Sequence, residues 1–327
     1  MSNELIIGIP SKGRLQENAN AFFADAGMKV KQSGGGREYV GRLKGVDNVH
    51  IAFLSASEIA LRLEEGSIHL GVTGEDLIRE RIAEPENKVE LVLPLGFGFA
   101  DVVVAVPQSW IDVSTMADFD DVALAFHRRH GRRIRIATKY LNLTRAFFAE
   151  HGLMDYRIVE SAGATEGAPA AGTAEAIVDI TTTGTTLAAN NLKVLDDGVM
   201  LRSQANLVAS LNADWSDKAL AATGEILDRV DAKARAAATV EVRFAGGEGD
   251  DAFLSELGER FGAVVPFGAG AGSPIRIVHV ADAKLYALTS FLHEKGKDRV
   301  TASRAGYIFD AANPLRSRLS ERLGRKV

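Results

Sequence analysis

A short segment with the sequence DITTTGTTL, residues 179–187, combines an acidic side chain, one glycine and five threonines. The apolar run before it predicts a strand, so the threonines begin a strand-to-helix turn, where unpaired backbone N–H groups and the helix dipole attract anions. Asp179, at the end of that strand, can accept ribose hydroxyls or bind Mg²⁺, a hard cation that prefers oxygen ligands. The segment predicts a binding loop for a phosphoribosyl group, although the same residues are also typical of an ordinary Thr/Gly turn that caps a helix.

The composition narrows the class of protein. The chain has 327 residues, of which 46% are hydrophobic and 25% charged, so we expect a globular protein of two or three domains. The net charge is −5 and the basic stretches at 128–135 and 316–326 are short, which does not favour nucleic acid as a partner. We interpret the first of these stretches as an exposed loop. The chain contains no cysteine, which excludes disulfides and thiolate chemistry.

The amino-terminal residues lead directly into a strand and lack the features of a secretory signal. No apolar stretch reaches the roughly 18 residues that a membrane span requires. We therefore expect a cytoplasmic protein with no membrane partner.

Over the first 215 residues, strands rich in Val, Ile and Leu alternate with amphipathic helices. This βαβ pattern predicts an α/β fold with largely parallel sheets. Two of the loops that follow strands carry polar candidates: Lys12, Gly13 and Arg14 in the first, and Thr73, Gly74 and Asp76 in the second. Their alternative roles are ordinary ones, since lysine and arginine are common as solvated loop charges and aspartate as a helix N-cap.

The final third of the chain has a different order of predicted elements from the first 215 residues. An alanine-rich helix over 217–238 is followed by strands and helices in the order βαββαβ, at 240–244, 252–261, 264–267, 275–280, 285–294 and 300–309. This order predicts a ferredoxin-like domain. The glycine-rich stretch at 268–272 is interpreted as a hairpin connection, and no role is assigned to Gly34–Gly36.

Several separate motifs, taken in their order along the chain, resemble the ATP phosphoribosyltransferase family, the first enzyme of histidine biosynthesis. They are PSKGRL (10–15), LGVTGEDL (70–77), RIATKY with LTR (135–140 and 143–145), GATE (163–166) and the segment from Asp179 to Asn190. The resemblance implies that a ring nitrogen of the adenine of ATP is joined to phosphoribosyl pyrophosphate, with release of pyrophosphate and with Mg²⁺ as cofactor.

The resemblance also implies an architecture. The catalytic core would be two-lobed and similar to type II periplasmic-binding proteins, with lobe I formed by 1–104 and 189–215 and lobe II, which carries the phosphoribosyl pyrophosphate loop, by 105–188. Residues 216–327 would form a linker helix and a regulatory domain, as in the long form of the family. That form implies inhibition by histidine at the tail domain and assembly into dimers or hexamers.

Roles for individual residues follow from the resemblance in the same way. The expected catalytic residues are Lys12 and Arg14, which would face the pyrophosphate charge, and Glu166 and Asp179, which would bind ribose hydroxyls or Mg²⁺. The expected phosphoribosyl pyrophosphate ligands are Asp179, Thr182, Thr183, Gly184, Thr185 and Thr186. The expected ATP ligands are Lys12, Gly13, Arg14, Thr73, Gly74 and Asp76. Lys139, Tyr140 and Arg145 are further candidates for a phosphate site in lobe II, whereas Glu166 is also suited to cap the turn before Pro169.

Two other classes of protein share these features. A two-lobed solute-binding protein would bind without turnover, and the hydroxyl-rich loop at 179–187 argues against it. A partner-dependent or regulatory paralogue subunit would have weakened catalysis. The presence of the expected site residues in order argues against that class.

Overall fold

The computed structural model describes residues 4–32, 40–161, 163–247, 250–266 and 274–327. Gly34–Gly36, the glycine-rich stretch at 268–272 and the end of the strand expected at 264–267 lie outside these ranges.

Within the described residues, the first part of the first lobe contains six strands and four helices. The elements are β1 (Leu5–Pro10), α1 (Gly13–Asp25), β2 (Lys29–Gln32), β3 (Val40–Lys44), β4 (Val49–Leu54), α2 (Ala56–Glu65), β5 (Leu70–Gly74), α3 (Glu75–Arg81), α4 (Pro85–Lys88) and β6 (Val89–Pro94). The central strands β4, β1 and β5 run parallel. Strand β1 is almost wholly buried, because helices cover both faces of a parallel sheet.

The chain then crosses into a second lobe. Its elements are β7 (Ala100–Pro107), α5 (Met116–His130), β8 (Ile134–Thr138), α6 (Leu141–Glu150), β9 (Tyr156–Glu160), a 3₁₀ turn (Thr165–Gly167), β10 (Ala176–Thr181), α7 (Thr185–Ala189) and β11 (Leu192–Ser203). The sheet order is β11-β7-β10-β8-β9, in which β8, β9 and β10 are parallel and β7 is antiparallel to both of its neighbours. The arginines at 128–129, expected in a loop, lie in the last turn of α5.

The chain returns to the first lobe in β12 (Ala205–Ser210), which inserts between β5 and β6. The completed sheet has the order β2-β3-β4-β1-β5-β12-β6, so it draws on two separate parts of the chain. The sheet boundaries differ from the expected lobe boundaries at 104/105 and 188/189. All of β7 and β11 belong to the second sheet, because β11 pairs antiparallel with β7 from Leu192 to Ser203.

Helix α8 (Asp217–Ala238) follows β12 and spans the alanine-rich helix expected at 217–238. The Ser216 side chain caps it by accepting the N–H of Ala219 at 3.1 Å. Ile226 and Leu227 on this helix are buried in the core of the first lobe. No helix within the described ranges is long and apolar enough to cross a membrane.

The tail domain consists of β13 (Thr239–Ala245), α9 (Asp250–Phe261), β14 (Ile275–Ala281), α10 (Leu285–Glu294) and β15 (Val300–Ser303). Strand β13 lies between β14 and β15 and is antiparallel to both. In place of the strand expected at 264–267, Val264 forms a single antiparallel bridge to His279 in β14. The α/β class is confirmed, and an additional sheet domain follows the two lobes. Its elements have the order of the expected ferredoxin-like βαββαβ tail, with this single bridge in the place of the second strand.

The chain ends in a helix that the sequence pattern did not predict. The strand expected to continue to 309 ends at Ser303, and α11 (Pro314–Leu323) follows. Asn313 begins α11, since its Oδ1 accepts the N–H groups of Leu315 and Arg316. The helix packs back on the first lobe, where Leu319 is fully buried. The tail domain is therefore attached to the first lobe at both of its ends.

Candidate functional site

The parallel strands of both lobes end next to the chain crossings. In the first lobe β1, β4 and β5 run in one direction, and in the second lobe β8, β9 and β10 do. The chain crosses between the lobes at these carboxyl ends, entering β7 at Ala100 and passing from Ser203 to Ala205. Ligands of open α/β sheets bind outside such strand ends, so this junction is the candidate site.

The loop after β10 presents threonines to solvent. Its base is held by two bonds: the Gly184 N–H donates to Thr181 Oγ1 at 2.8 Å, and Thr182 Oγ1 donates to the Phe99 carbonyl at 3.1 Å. Gly184 has a φ of +73°, in the left-handed region that favours glycine. The side chains of Thr182, Thr183, Thr185 and Thr186 are exposed, whereas Leu187 is buried and anchors the short helix α7.

Asp179 lies at the end of β10, close to one negative and one positive side chain. Its Oδ1 accepts the Ile180 N–H at 2.8 Å. Burial raises the pKa of Asp179 above its ordinary value, and the nearby Glu166 carboxylate adds to the rise, while the Ile180 N–H and Lys139 oppose it. The structure thus brings together Asp179 in β10, Glu166 after β9 and Lys139 after β8.

The carboxylates of Glu166 and Asp179 are the donors in this region that suit Mg²⁺, which prefers hard oxygen ligands. Their mutual repulsion contributes to the raised pKa of Asp179, and a divalent cation between them would relieve it. Within the described ranges no three His, Asp or Glu side chains are grouped so as to hold a metal. The donor set therefore fits a cation that is held partly by substrate phosphates and water.

Asp76 is buried between the lobes, and each of its carboxylate oxygens accepts one hydrogen bond. It is 7% exposed, and its Oδ2 accepts the Tyr140 hydroxyl at 2.7 Å while its Oδ1 accepts Ser203 Oγ at 2.9 Å. Burial and the Asp76 carboxylate raise the pKa of Tyr140, so the phenol stays a neutral donor. The N-cap of α3 is Gly74, so the alternative role of Asp76 as N-cap is wrong.

The two neighbours of this carboxylate have distinct roles. A Cβ at Gly74 would lie 2.2 Å from Asp76 Oδ1, so only glycine leaves room for the carboxylate. Thr73 is completely buried, and its hydroxyl donates to the Ala56 carbonyl at 2.8 Å. Its side chain therefore supports the start of α2 and does not face the cleft.

The loop after β1 supplies free positive charge. Lys12, Gly13 and Arg14 are exposed at the start of α1. Within the described part of the chain, neither Lys12 nor Arg14 forms an ion pair. Both side chains are available to an anionic ligand.

Two features of the site differ from the sequence-based picture. Tyr140 points to Asp76, and Arg145 lines a separate cavity of about 530 Å³ with Arg133 and Tyr156. The sequence reasoning missed Glu80, which lies four residues after Asp76 on the same face of α3 and contacts α6. An acidic residue recurring at i and i+4 beside apolar positions was the available signal.

Known proteins resemble this chain in structure and in sequence. The ATP phosphoribosyl transferase (HisG:HisZ) complex from Thermotoga maritima superposes with a TM-score of 0.51 at 23% identity, covering 69% of this chain and 98% of that chain. At this identity the likeness supports the fold alone.

The sequence matches are much closer. An ATP phosphoribosyltransferase of Rhodopseudomonas palustris (strain HaA2) is 58% identical over 320 residues, which is 98% of each chain. One from Bradyrhizobium diazoefficiens is 58% identical over 325 residues, 99% of this chain and 100% of the relative. The family model for HisG, ATP phosphoribosyltransferase, matches residues 55–232. Because this match spans more than half of the chain and the relatives align along nearly all of it, the chain belongs to the ATP phosphoribosyltransferase family.

Proposed function

We propose that the junction of the two lobes is where this ATP phosphoribosyltransferase joins ATP to phosphoribosyl pyrophosphate. The reaction forms N1-(5-phosphoribosyl)-ATP and pyrophosphate, and it is the first step of histidine biosynthesis. One observation carries the location: the exposed threonine loop and the carboxylates of Asp179 and Glu166 adjoin the same strand ends of lobe II. A ribose phosphate requires hydrogen-bond donors for its phosphate and carboxylates for its hydroxyls, and these must lie close together.

The phosphoribosyl donor would bind to lobe II. The hydroxyls and N–H groups of residues 182–186 would hold the 5-phosphate, because they are exposed and their loop is fixed at its base. Asp179 and Glu166 would accept the ribose hydroxyls or hold Mg²⁺. When bound there, Mg²⁺ supplies positive charge to the pyrophosphate oxygens.

The chemistry assigns a role to the free cations of lobe I. Breaking the bond to pyrophosphate builds oxocarbenium character at the anomeric carbon and negative charge on the leaving group. Lys12 and Arg14 would stabilise that charge by fixed electrostatic contacts, since neither has another ionic partner in the described residues. The attacking adenine nitrogen already carries a lone pair, so the protein needs no strong general base.

ATP would bind on the lobe I side. Asp76 accepts one bond at each carboxylate oxygen, and each oxygen keeps a further lone pair that could accept the adenine amino group. Gly13 and Gly74, which carry no side chains, would allow close approach of the nucleotide. Thr73 would contribute through its backbone alone, because its hydroxyl is bonded to α2.

Regulation and assembly follow the family resemblance. Histidine would inhibit through the ferredoxin-like tail domain, and the working enzyme would be a dimer or hexamer in the cytoplasm. The attachment of the tail to lobe I through both α8 and α11 supports a coupling between inhibitor and cleft. A histidine titration that left activity unchanged would contradict the inhibition.

The first test is phosphoribosyl-ATP formation by the purified chain alone, with ATP, phosphoribosyl pyrophosphate and Mg²⁺. Asp179→Asn should lower kcat/KM by at least about 100-fold, comparable to the loss of one preorganised electrostatic contact. The variant should nevertheless unfold at no lower temperature at pH 7, since the raised pKa of Asp179 means that its ionised form costs stability. Full activity of the variant would refute the assignment of Asp179.

A further inference from the structure

Two helices from different lobes cap each other at the junction. The N-terminus of α6 in lobe II has no side-chain cap from its own N-cap residue, Tyr140. Instead, the Glu80 carboxylate of α3 accepts the N–H of Asn142 at 3.1 and 3.2 Å and the N–H of Leu143 at 3.0 Å. In return, the Asn142 side-chain amide donates to the Glu80 backbone carbonyl at 2.8 Å.

This contact satisfies groups that helices otherwise leave unpaired. The first N–H groups of a helix and its last carbonyls have no partner within the helix. Glu80 lies in the last turn of α3 and Asn142 in the first turn of α6, so the negative end of one helix dipole meets the positive end of the other. A carboxylate at a helix N-terminus is stabilising for the same reason.

Separating the two helices would be costly. Glu80 is 5% exposed, so its hydrogen bonds to α6 lie in a low-dielectric environment, where they are stronger than the same bonds would be at the surface. One turn earlier on α3, Asp76 is bonded to Tyr140 and to Ser203 of β11. Two buried carboxylates on one short helix thus bond to α6, to its N-cap residue Tyr140 and to β11, all in lobe II.

We propose that Glu80 is a positioning residue whose reciprocal cap with α6 fixes the angle between the lobes. Lys139 and Tyr140 connect the end of β8 to α6, so the same cap holds Lys139 near Asp179. The expected effect of this cap on the kinetics rests on the proposed function of the junction, whereas its effect on the angle between the lobes does not.

The structural test measures the distance between the lobes directly. The chain has no native cysteine, so Leu61→Cys on α2 and Met154→Cys in lobe II, both at exposed positions, can carry a unique pair of spin labels. In the substrate-free protein, Glu80→Gln should broaden the distance distribution. An amide would place an N–H donor against the α6 N–H groups and remove the charge that attracts them.

Glu64→Gln is the matched control. Glu64 lies in the same lobe, and its carboxylate bonds to Lys88 at 2.7 Å without reaching lobe II. This variant should keep the distance distribution of the parent protein. If Glu80→Gln gives the same distribution as Glu64→Gln, the proposal is wrong, whatever the activity.

The kinetic test separates positioning from chemistry. Glu80→Gln should raise KM for both substrates about tenfold, the size of one charge-assisted hydrogen bond. The value of kcat should fall less, because no reacting atom touches Glu80. A broadened distance distribution with an unchanged KM would support the cap and contradict the proposed binding of substrates at the junction. Should Glu80→Gln not fold, Asn142→Ala removes the return bond alone, and an unchanged distance distribution in that variant would be equally decisive against it.

Discussion

Gly74 lies so close to the Asp76 carboxylate that the site has no room for a side chain at this position. A Cβ at this position would overlap Asp76 Oδ1 at 2.2 Å, whereas a Cβ at Gly306 would meet nothing within 4 Å. Gly74→Ala should therefore displace the carboxylate from Tyr140 and Ser203. We expect a loss of at least about tenfold in kcat/KM, because small displacements in a positioned site are expensive.

Gly306→Ala is the control for this substitution and should retain normal activity. Its φ lies outside the left-handed region, so alanine adds no backbone strain there. Steady-state kinetics of the two variants, with thermal melts to confirm folding, make the comparison. Equal activity would mean that Asp76 tolerates displacement and would weaken its proposed role toward adenine.

His69 joins two distant segments through both of its ring nitrogens. Nδ1 accepts the Ile6 N–H at 3.1 Å, so Nε2 carries the proton and donates it to the Asp214 carbonyl at 3.1 Å. Burial lowers the pKa of His69 below its ordinary 6.5. The folded state then binds fewer protons than the unfolded state, so the stability gained from the neutral ring is complete above pH 6.5 and declines as pH falls.

The prediction is a sigmoidal loss of unfolding free energy below pH 6.5 that is absent in His69→Asn. Asparagine can accept the Ile6 N–H but does not titrate. Urea denaturation at pH 7.5 and pH 5 would compare the two proteins, with the exposed His151 as a site for a control substitution. A parallel decline in both proteins would assign the pH dependence to other groups.

Among the elements, those with local signals were predictable and those with distant partners were not. Ser55 and Gly66 are local signals for helix α2: Ser55 Oγ accepts the Glu58 N–H, and Gly66 ends the helix at a φ of +74°. The Glu58 side chain, three residues after Ser55, accepts hydrogen bonds from Arg62 and does not complete a capping box with Ser55. The arginines ending α5 were misread as a loop, although cations favour a helix C-terminus.

In the site, too, features with a local sequence signal were predictable and features that depend on distant partners were not. The loop after β10 was predicted because an acid, a glycine and threonines after a strand have a local meaning. The cap between α3 and α6 joins residues more than 60 positions apart, and neither partner has a sequence signal that names the other. Likewise, α11 has few apolar residues, and its docking surface on lobe I is more than 200 residues away in the chain.

In the whole molecule, α11 makes the end of the chain part of the first lobe. Leu319 is fully buried with Val92 and Leu227, and Arg318 donates to the carbonyls of Leu91 and Val92 on β6. An edge strand left uncovered is prone to pair with other chains, so α11 also protects this edge. Truncating Leu319 should therefore weaken lobe I, although the residue follows the tail domain in sequence.

Leu319→Ala should lower the unfolding free energy of lobe I by about 2 to 5 kcal/mol, the usual range for a buried leucine. Leu288→Ala on α10 removes an equally buried leucine from the core of the tail domain and is the matched control. Hydrogen exchange should show faster opening of β6 and β12 in the first variant and of β13 in the second. Faster opening of β13 alone in Leu319→Ala would instead place α11 with the tail, and the tail would then communicate with the cleft through α8 only.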